Sequence, residues 1–191
     1  PKIVVVENEF NVGFSKACNQ GLQKSSTNWV LFFNPDAILA KGALSKLLIT
    51  ATGDPDMAIL GHGLKGQNGE VQENLTTDYP GEEYFSEGIS NWKSLRGEVA
   101  SLIGASLLCQ RSKMIELGGF DEDYFLYGED LDLCLRVRKK GWYIGYIEEI
   151  LAVHIGGHSE ASFPLLDQQE KKMRALLLFY QKHLTRKEKN L

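Results

Sequence analysis

The sequence predicts an α/β fold in which a mostly parallel sheet is flanked by helices. Short continuous apolar runs that are rich in β-branched residues indicate buried strands. They alternate with segments whose apolar residues recur at helical spacing, which is typical of strand-helix-strand units. The chain has 191 residues, of which 43% are hydrophobic and 24% charged. This length and composition predict one globular domain with its own core.

The predicted elements follow one another closely along the chain. We expect strands at 3–6, 29–33, 57–60, 101–109, 143–147 and 151–154, and helices at 15–23, 42–51, 112–117, 129–140 and 164–183. The Asn68-Gly69 pair predicts a tight hairpin turn between short strands around 62–64 and 71–75. Segment 76–98 follows no period, and we interpret it as a variable loop insertion near a binding site. Segment 164–191 is predicted to be a C-terminal helix with a basic tail.

Charge and cysteine content exclude some classes of protein. The formal net charge is −4, and no basic stripe indicates a nucleic-acid partner. Cys18, Cys109 and Cys134 are odd in number, lack zinc-site spacing and fall within apolar patterns. We therefore expect reduced core thiols in a cytoplasmic protein. No apolar run approaches the roughly 20 residues that span a bilayer.

The helix predicted at 129–140 begins with a pair of acids, Glu129 and Asp130. A carboxylate in the first turn of a helix meets unpaired backbone N–H groups, so we expect Asp130 to be ionised and held in one rotamer. Such a group suits a general base. Alternatively, these are ordinary first-turn acids that pair with Arg136 and Arg138 along the helix. The loop at 120–127 mixes aromatic and acidic residues, which favours the wall of a polar pocket.

Two further polar residues follow predicted strands. Asp36 comes after the strand at 29–33, and ligands of open α/β sheets bind beyond the carboxyl ends of strands. Taken alone, Asn34-Pro35-Asp36 indicates a simple turn, and a lone His154 at a strand end indicates a structural histidine. Together, Asp36 and His154 would leave open positions on Mn²⁺ or Mg²⁺ for two phosphate oxygens. With Asp130 they form a more specific constellation than any one residue.

Five segments carry a resemblance to a known family. They are NVGFSKACNQG at 11–21, NPDA at 34–37, GASLLCQRS at 104–112, GGFDEDYFLYGEDLDLCLRVRKKGW at 118–142, and the segment around His154. In order and spacing they resemble the inverting family 2 glycosyltransferases, and most of all their bacterial rhamnosyltransferase-like branch. The resemblance covers almost the whole chain, and it implies a GT-A-type domain that binds a nucleotide-diphosphate-sugar donor.

The resemblance also assigns roles in catalysis and metal binding. It implies that Asp130 is the catalytic base, with Glu129 orienting the loop or touching the acceptor. Asp36 matches the second acid of the family's Asp-x-Asp element, which coordinates the divalent metal. Asn34 stands where the acidic version has its first acid. His154 matches a further metal ligand.

The remaining matches concern the donor and acceptor. Asn11 and Gly13 match the loop that lies along the nucleotide, and Gly104 and Ala105 match the strand beside the sugar or acceptor. The implied function is inverting sugar transfer to a saccharide or lipid-linked acceptor in cell-surface polysaccharide or glycolipid synthesis. It is compatible with an oligomer and with peripheral contact between the basic tail and the inner face of the cell membrane. A solvated helix end is the alternative for the tail.

One departure from the family is large. Its members open with a strand, a helix and a second strand before the segment that matches Pro1, so the resemblance implies that 1–191 is a partial, N-terminally incomplete catalytic domain. Two alternatives stay open. A sugar nucleotidyltransferase shares the fold plan and the metal, although its Gly-rich, basic opening segment is absent from this sequence. A catalytically inert fragment or interaction module is the other.

Overall fold

The computed structural model describes residues 3–81, 92, 94–155 and 165–184. Within them, eight strands and five helices follow one another. The strands are β1 (Trp29–Phe33), β2 (Ala37–Leu39), β3 (Met57–Lys65), β4 (Val71–Gln72), β5 (Leu75–Thr76), β6 (Ser101–Leu102), β7 (Ser106–Gln110) and β8 (Tyr143–His154). The helices are α1 (Phe14–Lys24), α2 (Ala43–Thr52), α3 (Arg111–Leu117), α4 (Glu129–Lys139) and α5 (Leu165–His183).

The main sheet is mixed, with the order β1-β7-β3-β8-β2 and with β4 paired to β3. The predicted α/β class is correct, but the expectation of a mostly parallel sheet is wrong, because among the described strands only β3 and β8 pair in parallel. Strands β1 and β3 do run in the same direction, as strand-helix-strand units require. Strand β7 lies between them and runs against both.

The predicted strand at 3–6 is also wrong. Ile3, Val4, Val5 and Val6 have no strand conformation, and they are 86%, 58%, 74% and 41% exposed. An apolar run forms a strand only where a neighbouring strand supplies hydrogen-bond partners. None of the described strands pairs with this segment.

Other boundaries shift for local reasons. The predicted strand at 101–109 is interrupted by a turn at Gly104 and Ala105, which separates β6 from β7. The two strands predicted at 143–147 and 151–154 are one strand, β8, whose register against β3 shifts on either side of Gly63. The Asn68-Gly69 hairpin is confirmed, with Leu64 opposite Gln72. The predicted helices agree with α1 to α5 to within one or two residues at most ends.

Helices cover both faces of the sheet because side chains alternate along β3 and β7. Ile59 faces α1, α3 and α4, whereas the next residue, Leu60, packs with α2. A second apolar cluster joins α5 to α4 and to the segment that ends at β6. It contains Tyr79, Trp92, Ala100, Tyr124, Leu135, Ala175, Phe179 and Leu184.

Part of the predicted C-terminal segment lies outside the described residues, namely 164 and most of the basic tail at 185–191. Within the part of the chain that the structure describes, no helix combines the length and apolar character needed to cross a membrane.

Candidate active site

The first turn of α4 places the acid pair. Tyr127 and Gly128 both have left-handed backbone conformations, with φ of 72° and 81°, and the helix starts immediately after them. The Oδ2 atom of Asp130 accepts a hydrogen bond from the backbone N–H of Gly104 at 3.1 Å, and its Oδ1 accepts one from Leu131 at 2.8 Å. Two backbone donors thus hold the carboxylate, as the predicted fixed rotamer requires.

Burial changes the acidity of both carboxyl groups. It raises the pKa of Glu129 to about 7, and the neighbouring charge of Asp130 adds to this rise. Burial also raises the pKa of Asp130, against the backbone hydrogen bonds that favour its ionised form. The expectation that the N–H groups at the helix start keep Asp130 ionised stays a prediction, because desolvation acts against those groups. A raised pKa brings a carboxylate closer to the range of an effective general base.

Asp36 and His154 are neighbours because of strand pairing. Ala37 of β2 lies opposite His154 of β8, and the backbone N–H of Ile155 donates to the carbonyl oxygen of Asp36 at 3.0 Å. The Nε2 atom of His154 lies 3.4 Å from Oδ1 of Asp36, and the two side chains are 16% and 14% exposed. The Nδ2 atom of Asn34 lies 3.4 Å from the same Nε2.

These two groups fit a divalent cation that a second molecule also coordinates. A carboxylate oxygen and an imidazole nitrogen are suitable ligands for Mn²⁺. Among the residues that the structure describes, no group of three or more His, Cys, Asp or Glu residues could hold a metal. Asp36 and His154 alone would leave most coordination positions to the phosphate oxygens of a ligand and to water.

A single cleft of about 660 Å³ brings the predicted groups together. Its lining combines polar residues of the α4 acid pair, of the turn after β1 and of the end of β8 with apolar residues of α1 and β1. Seven predicted site residues line it: Asn34, Asp36, Gly104, Ala105, Glu129, Asp130 and His154. The cleft therefore contains both the candidate base and the candidate metal ligands.

Asn11 and Gly13 are not among the residues that line this cleft. Asn11 accepts a hydrogen bond from the backbone N–H of Gly13 at 3.0 Å, and a Cβ on Gly13 would lie 2.6 Å from the carbonyl oxygen of Phe125. The backbone N–H of Phe14 donates to that same carbonyl at 2.9 Å. These contacts join the start of α1 to the loop before α4, while the nucleotide contact of Asn11 and Gly13 stays a prediction.

The described part of segment 76–98 is also absent from the lining of the cleft. Tyr79 and Trp92 are buried against α4 and α5 instead. Residues 82–91 and 93 lie outside the described residues, so the interpretation of this segment as a loop near a binding site stays a prediction.

One residue of the loop predicted to form a pocket wall, Tyr127, lines the main cleft and two smaller cavities beside it. Sequence reasoning missed a different residue, Gln72. Gln72 contacts both the ring and the backbone carbonyl of His154. No sequence signal marks Gln72, because a glutamine in a short hairpin strand is ordinarily a solvated residue.

A second groove of about 280 Å³ lies between the start of α4 and α5. Its walls include Tyr127, Leu131, Lys172 and Leu176, and Asp130 lines this groove as well as the main cleft. The candidate base thus lies at the junction of two cavities.

Comparison with known proteins gives the family. Residues 1–175 match the model of the family described as glycosyltransferase like family 2. The chain belongs to this family.

Two curated relatives are bacterial rhamnosyltransferases. The N-acetylglucosaminyl-diphospho-decaprenol L-rhamnosyltransferase of Mycobacterium tuberculosis is 26% identical over 200 residues, an alignment that covers 86% of this chain and 62% of the relative. Rhamnosyltransferase WbbL of Escherichia coli is 32% identical over 87 residues, which covers 46% of this chain and 30% of WbbL. The chain thus spans less than two thirds of the length of either relative.

The fold has known counterparts among solved structures. The mannosyltransferase PcManGT of Pyrobaculum calidifontis, in complex with GDP-Man and Mn²⁺, has a TM-score of 0.60 at 15% identity. The match covers 94% of this chain and 46% of PcManGT. This similarity confirms the GT-A fold that was predicted for the chain.

Proposed function

We propose that this chain forms the catalytic core of an inverting, metal-dependent glycosyltransferase. It moves a sugar from a nucleotide-diphosphate-sugar donor to an acceptor hydroxyl in the synthesis of a cell-surface polysaccharide or glycolipid. The observation that carries the proposal is the common cleft of Asp130 and the Asp36–His154 pair. The names of the relatives support a rhamnosyl donor and a lipid-diphosphate-linked saccharide acceptor.

Asp130 acts as the general base. It removes the proton of the acceptor hydroxyl while that oxygen attacks the anomeric carbon from the face opposite the diphosphate, which inverts the configuration. The N–H groups of Gly104 and Leu131 keep the carboxylate oriented during the reaction. Glu129 is the buried partner whose proximity raises the proton affinity of the pair.

Asp36 and His154 would hold the metal ion together with the donor diphosphate. The chemistry that Mn²⁺ or Mg²⁺ would supply there is neutralisation of negative charge on the departing diphosphate. The presence of Mn²⁺ with a nucleotide sugar in the PcManGT structure supports this assignment. Asn34 contributes a neutral amide near the same position, so the site carries less negative charge than an Asp-x-Asp element.

The acceptor approaches through the second groove. Its hydroxyl must reach Asp130 from the side away from the metal, and Asp130 lines the groove between α4 and α5 as well as the main cleft. Apolar walls at Leu131 and Leu176, with Tyr127 between the two cavities, suit the ring face of a saccharide.

The substitution Asp130→Asn tests the proposal. In the full-length protein we expect turnover to fall by at least about 10²–10⁴-fold, the contribution of a general base. The fold should be retained, because asparagine has nearly the same shape. Turnover is measured from nucleoside diphosphate release with a panel of nucleotide sugars, and the anomeric configuration of the product by NMR.

Asp123→Asn serves as the matched control. It makes the same chemical change in the loop before α4, where Asp123 is exposed and pairs with Lys182, and we expect wild-type turnover. A wild-type rate for Asp130→Asn would remove Asp130 from the role of base. Absence of donor turnover by the folded wild-type protein would instead favour the inert-module alternative.

A further inference from the structure

Gln72 contacts His154 through both ends of its side-chain amide. The Nε2 atom of Gln72 donates to the backbone carbonyl oxygen of His154 at 2.8 Å, and its Oε1 lies 3.0 Å from the ring Nδ1. A carbonyl oxygen can only accept, so the amide nitrogen must face it and the amide oxygen must face Nδ1. In the neutral ring, Nδ1 therefore carries the proton and donates it to Gln72.

This tautomer determines what His154 presents to the cleft. With the proton on Nδ1, the lone pair of the ring is on Nε2, which lies 3.4 Å from Oδ1 of Asp36. Both atoms are then acceptors, and a cation between them would satisfy both. The opposite tautomer would place an N–H on Nε2, donate it to Asp36 and remove the imidazole from metal coordination.

The hairpin explains how Gln72 reaches the site. The Asn68-Gly69 turn returns the chain along β3, so that Gln72 lies opposite Leu64. Leu64 in turn pairs with Ala152 of β8, two residues before His154. The side chain of Gln72 thus extends past the end of β3 to the end of β8.

We propose that Gln72 is a positioning residue that selects the Nδ1–H tautomer of His154 and so keeps Nε2 free for a divalent cation shared with Asp36. The proposal rests on the proposed function for the identity of the cation. The tautomer itself is a property of the metal-free protein. Hydrogen bonds of this kind to the second ring nitrogen orient metal-binding histidines in general.

NMR of the histidine ring nitrogens tests the tautomer directly. The metal-free full-length protein, labelled with ¹⁵N-histidine, is examined by long-range ¹H–¹⁵N correlation, and the His154 signals are assigned by their loss in His154→Gln. We expect the Nδ1–H form in the wild type and an Nε2–H population in Gln72→Met. Gln67→Met is the matched control, because it makes the same change in the exposed turn of the same hairpin and should leave the spectrum unchanged.

Metal affinity provides the second measurement. In a Mn²⁺ titration followed by electron paramagnetic resonance, we expect Gln72→Met to weaken binding by about 10–100-fold and Gln67→Met to leave it unchanged. Gln72→Glu loses the donor to the backbone carbonyl oxygen of His154 but retains an acceptor at Nδ1, so the Nδ1–H tautomer should persist.

Each outcome distinguishes this inference from the proposed function. An Nε2–H ring in the wild type, or an unchanged tautomer in Gln72→Met, would overturn the role of Gln72. If Asp36→Asn binds Mn²⁺ as tightly as the wild type, the metal assignment fails, while the ring spectra still decide the role of Gln72. If Gln72→Met does not fold, the wild-type spectrum and Gln72→Glu decide the question.

Discussion

Glu129 is unusually buried for a glutamate side chain. It is only 6% exposed, and among the contacts of the described residues its Oε2 has no hydrogen-bond partner. An ionised carboxylate in such a place is costly, so the side chain binds a proton more tightly than it does in water. The acid pair consequently holds one proton more readily than two separate acids would.

The stability of the protein should therefore depend on pH through Glu129. Its pKa rises from 4.5 in the unfolded chain to about 7 in the folded protein. Between these values the folded state binds more protons, so the free energy of unfolding should fall as pH rises from about 4.5 to 7. The full shift corresponds to a loss of about 3 kcal/mol. Urea denaturation at several pH values measures it.

Glu129→Gln should reduce this decline, because glutamine does not titrate and only the raised pKa of Asp130 then contributes. The control is Glu116→Gln, which changes an exposed glutamate that pairs with Lys140 and should leave the pH profile as in the wild type. An unchanged profile in Glu129→Gln would show that another group causes the decline.

Individual site residues were predictable to different degrees. Asp36, Asp130 and His154 could be found because each follows or opens a secondary-structure element, and such positions face the ligand edge of an α/β sheet. The raised pKa of Asp130 could not be predicted from the sequence, because desolvation depends on which residues pack around the helix start. The contact of Gln72 with His154 could not be predicted either, because it depends on the register of three strands.

At the scale of the element, α4 does more than present acids at its first turn. The guanidinium of Arg138, in its last turn, is 3% exposed and donates to the carbonyl oxygens of Leu95 and Gly97 at 3.0 and 2.9 Å. It also contacts the hydroxyl of Tyr79. One helix thus joins the candidate base to the segment that precedes β6.

Arg138→Met should destabilise the protein markedly. It preserves most of the apolar stem but leaves the partly buried carbonyl groups of Leu95 and Gly97 without this donor, at up to about 1–3 kcal/mol each. We expect the free energy of unfolding to fall by about 3 kcal/mol or more, together with faster proteolysis at 94–98. Arg136→Met is the comparison within the same helix, because Arg136 donates to Leu117 and Gly119 instead. Faster cleavage at 94–98 in both variants alike would contradict a specific role for Arg138.

The helices could be predicted from their own local sequence, whereas the strands could be predicted less well. The apolar period of α4 and the Gly118-Gly119 sequence after α3 mark those helices from local sequence alone. The run at 3–6 has strong strand character, yet it remains exposed, because a strand requires a partner elsewhere in the chain. The break between β6 and β7 follows from the turn at Gly104, whose N–H is directed to Asp130.

At the scale of the molecule, α5 is attached through the second apolar cluster. Phe179 is fully buried, and its ring lies 5.6 Å from that of Trp92 in an edge arrangement. Through Tyr124 and Leu135 the same cluster contacts the loop before α4 and α4 itself. The acceptor groove that we propose is formed where α5 packs on α4.

Phe179→Ala should lower the free energy of unfolding by about 3–5 kcal/mol, the usual cost of removing a buried phenylalanine. Leu177→Ala is the control on the same helix, because Leu177 is 53% exposed, and a change within about 0.5 kcal/mol is expected. Chemical denaturation measures both. Equal losses in the two variants would mean that the packing of α5 differs from that described.

The fold class and the family were the properties that the sequence predicted best. Alternating strands and helices indicated the α/β class, and the five resembling segments indicated the family that the comparisons confirm. The position of β7 was not predictable, because nothing in its own residues distinguishes insertion between two strands from addition at an edge.

Because β2 pairs with β8, the proposed metal site should depend more on the number of residues in β8 before His154 than on which residues they are. Substitutions at 150–153 would leave Ala37 opposite His154, and with it the distance between the two ligands. Deletion of one residue there would turn the histidine to the other face of the sheet, because successive side chains alternate. Among homologues, this short stretch, in which Leu151 and Ala152 are buried, should therefore accept exchange between apolar residues while excluding insertions and deletions.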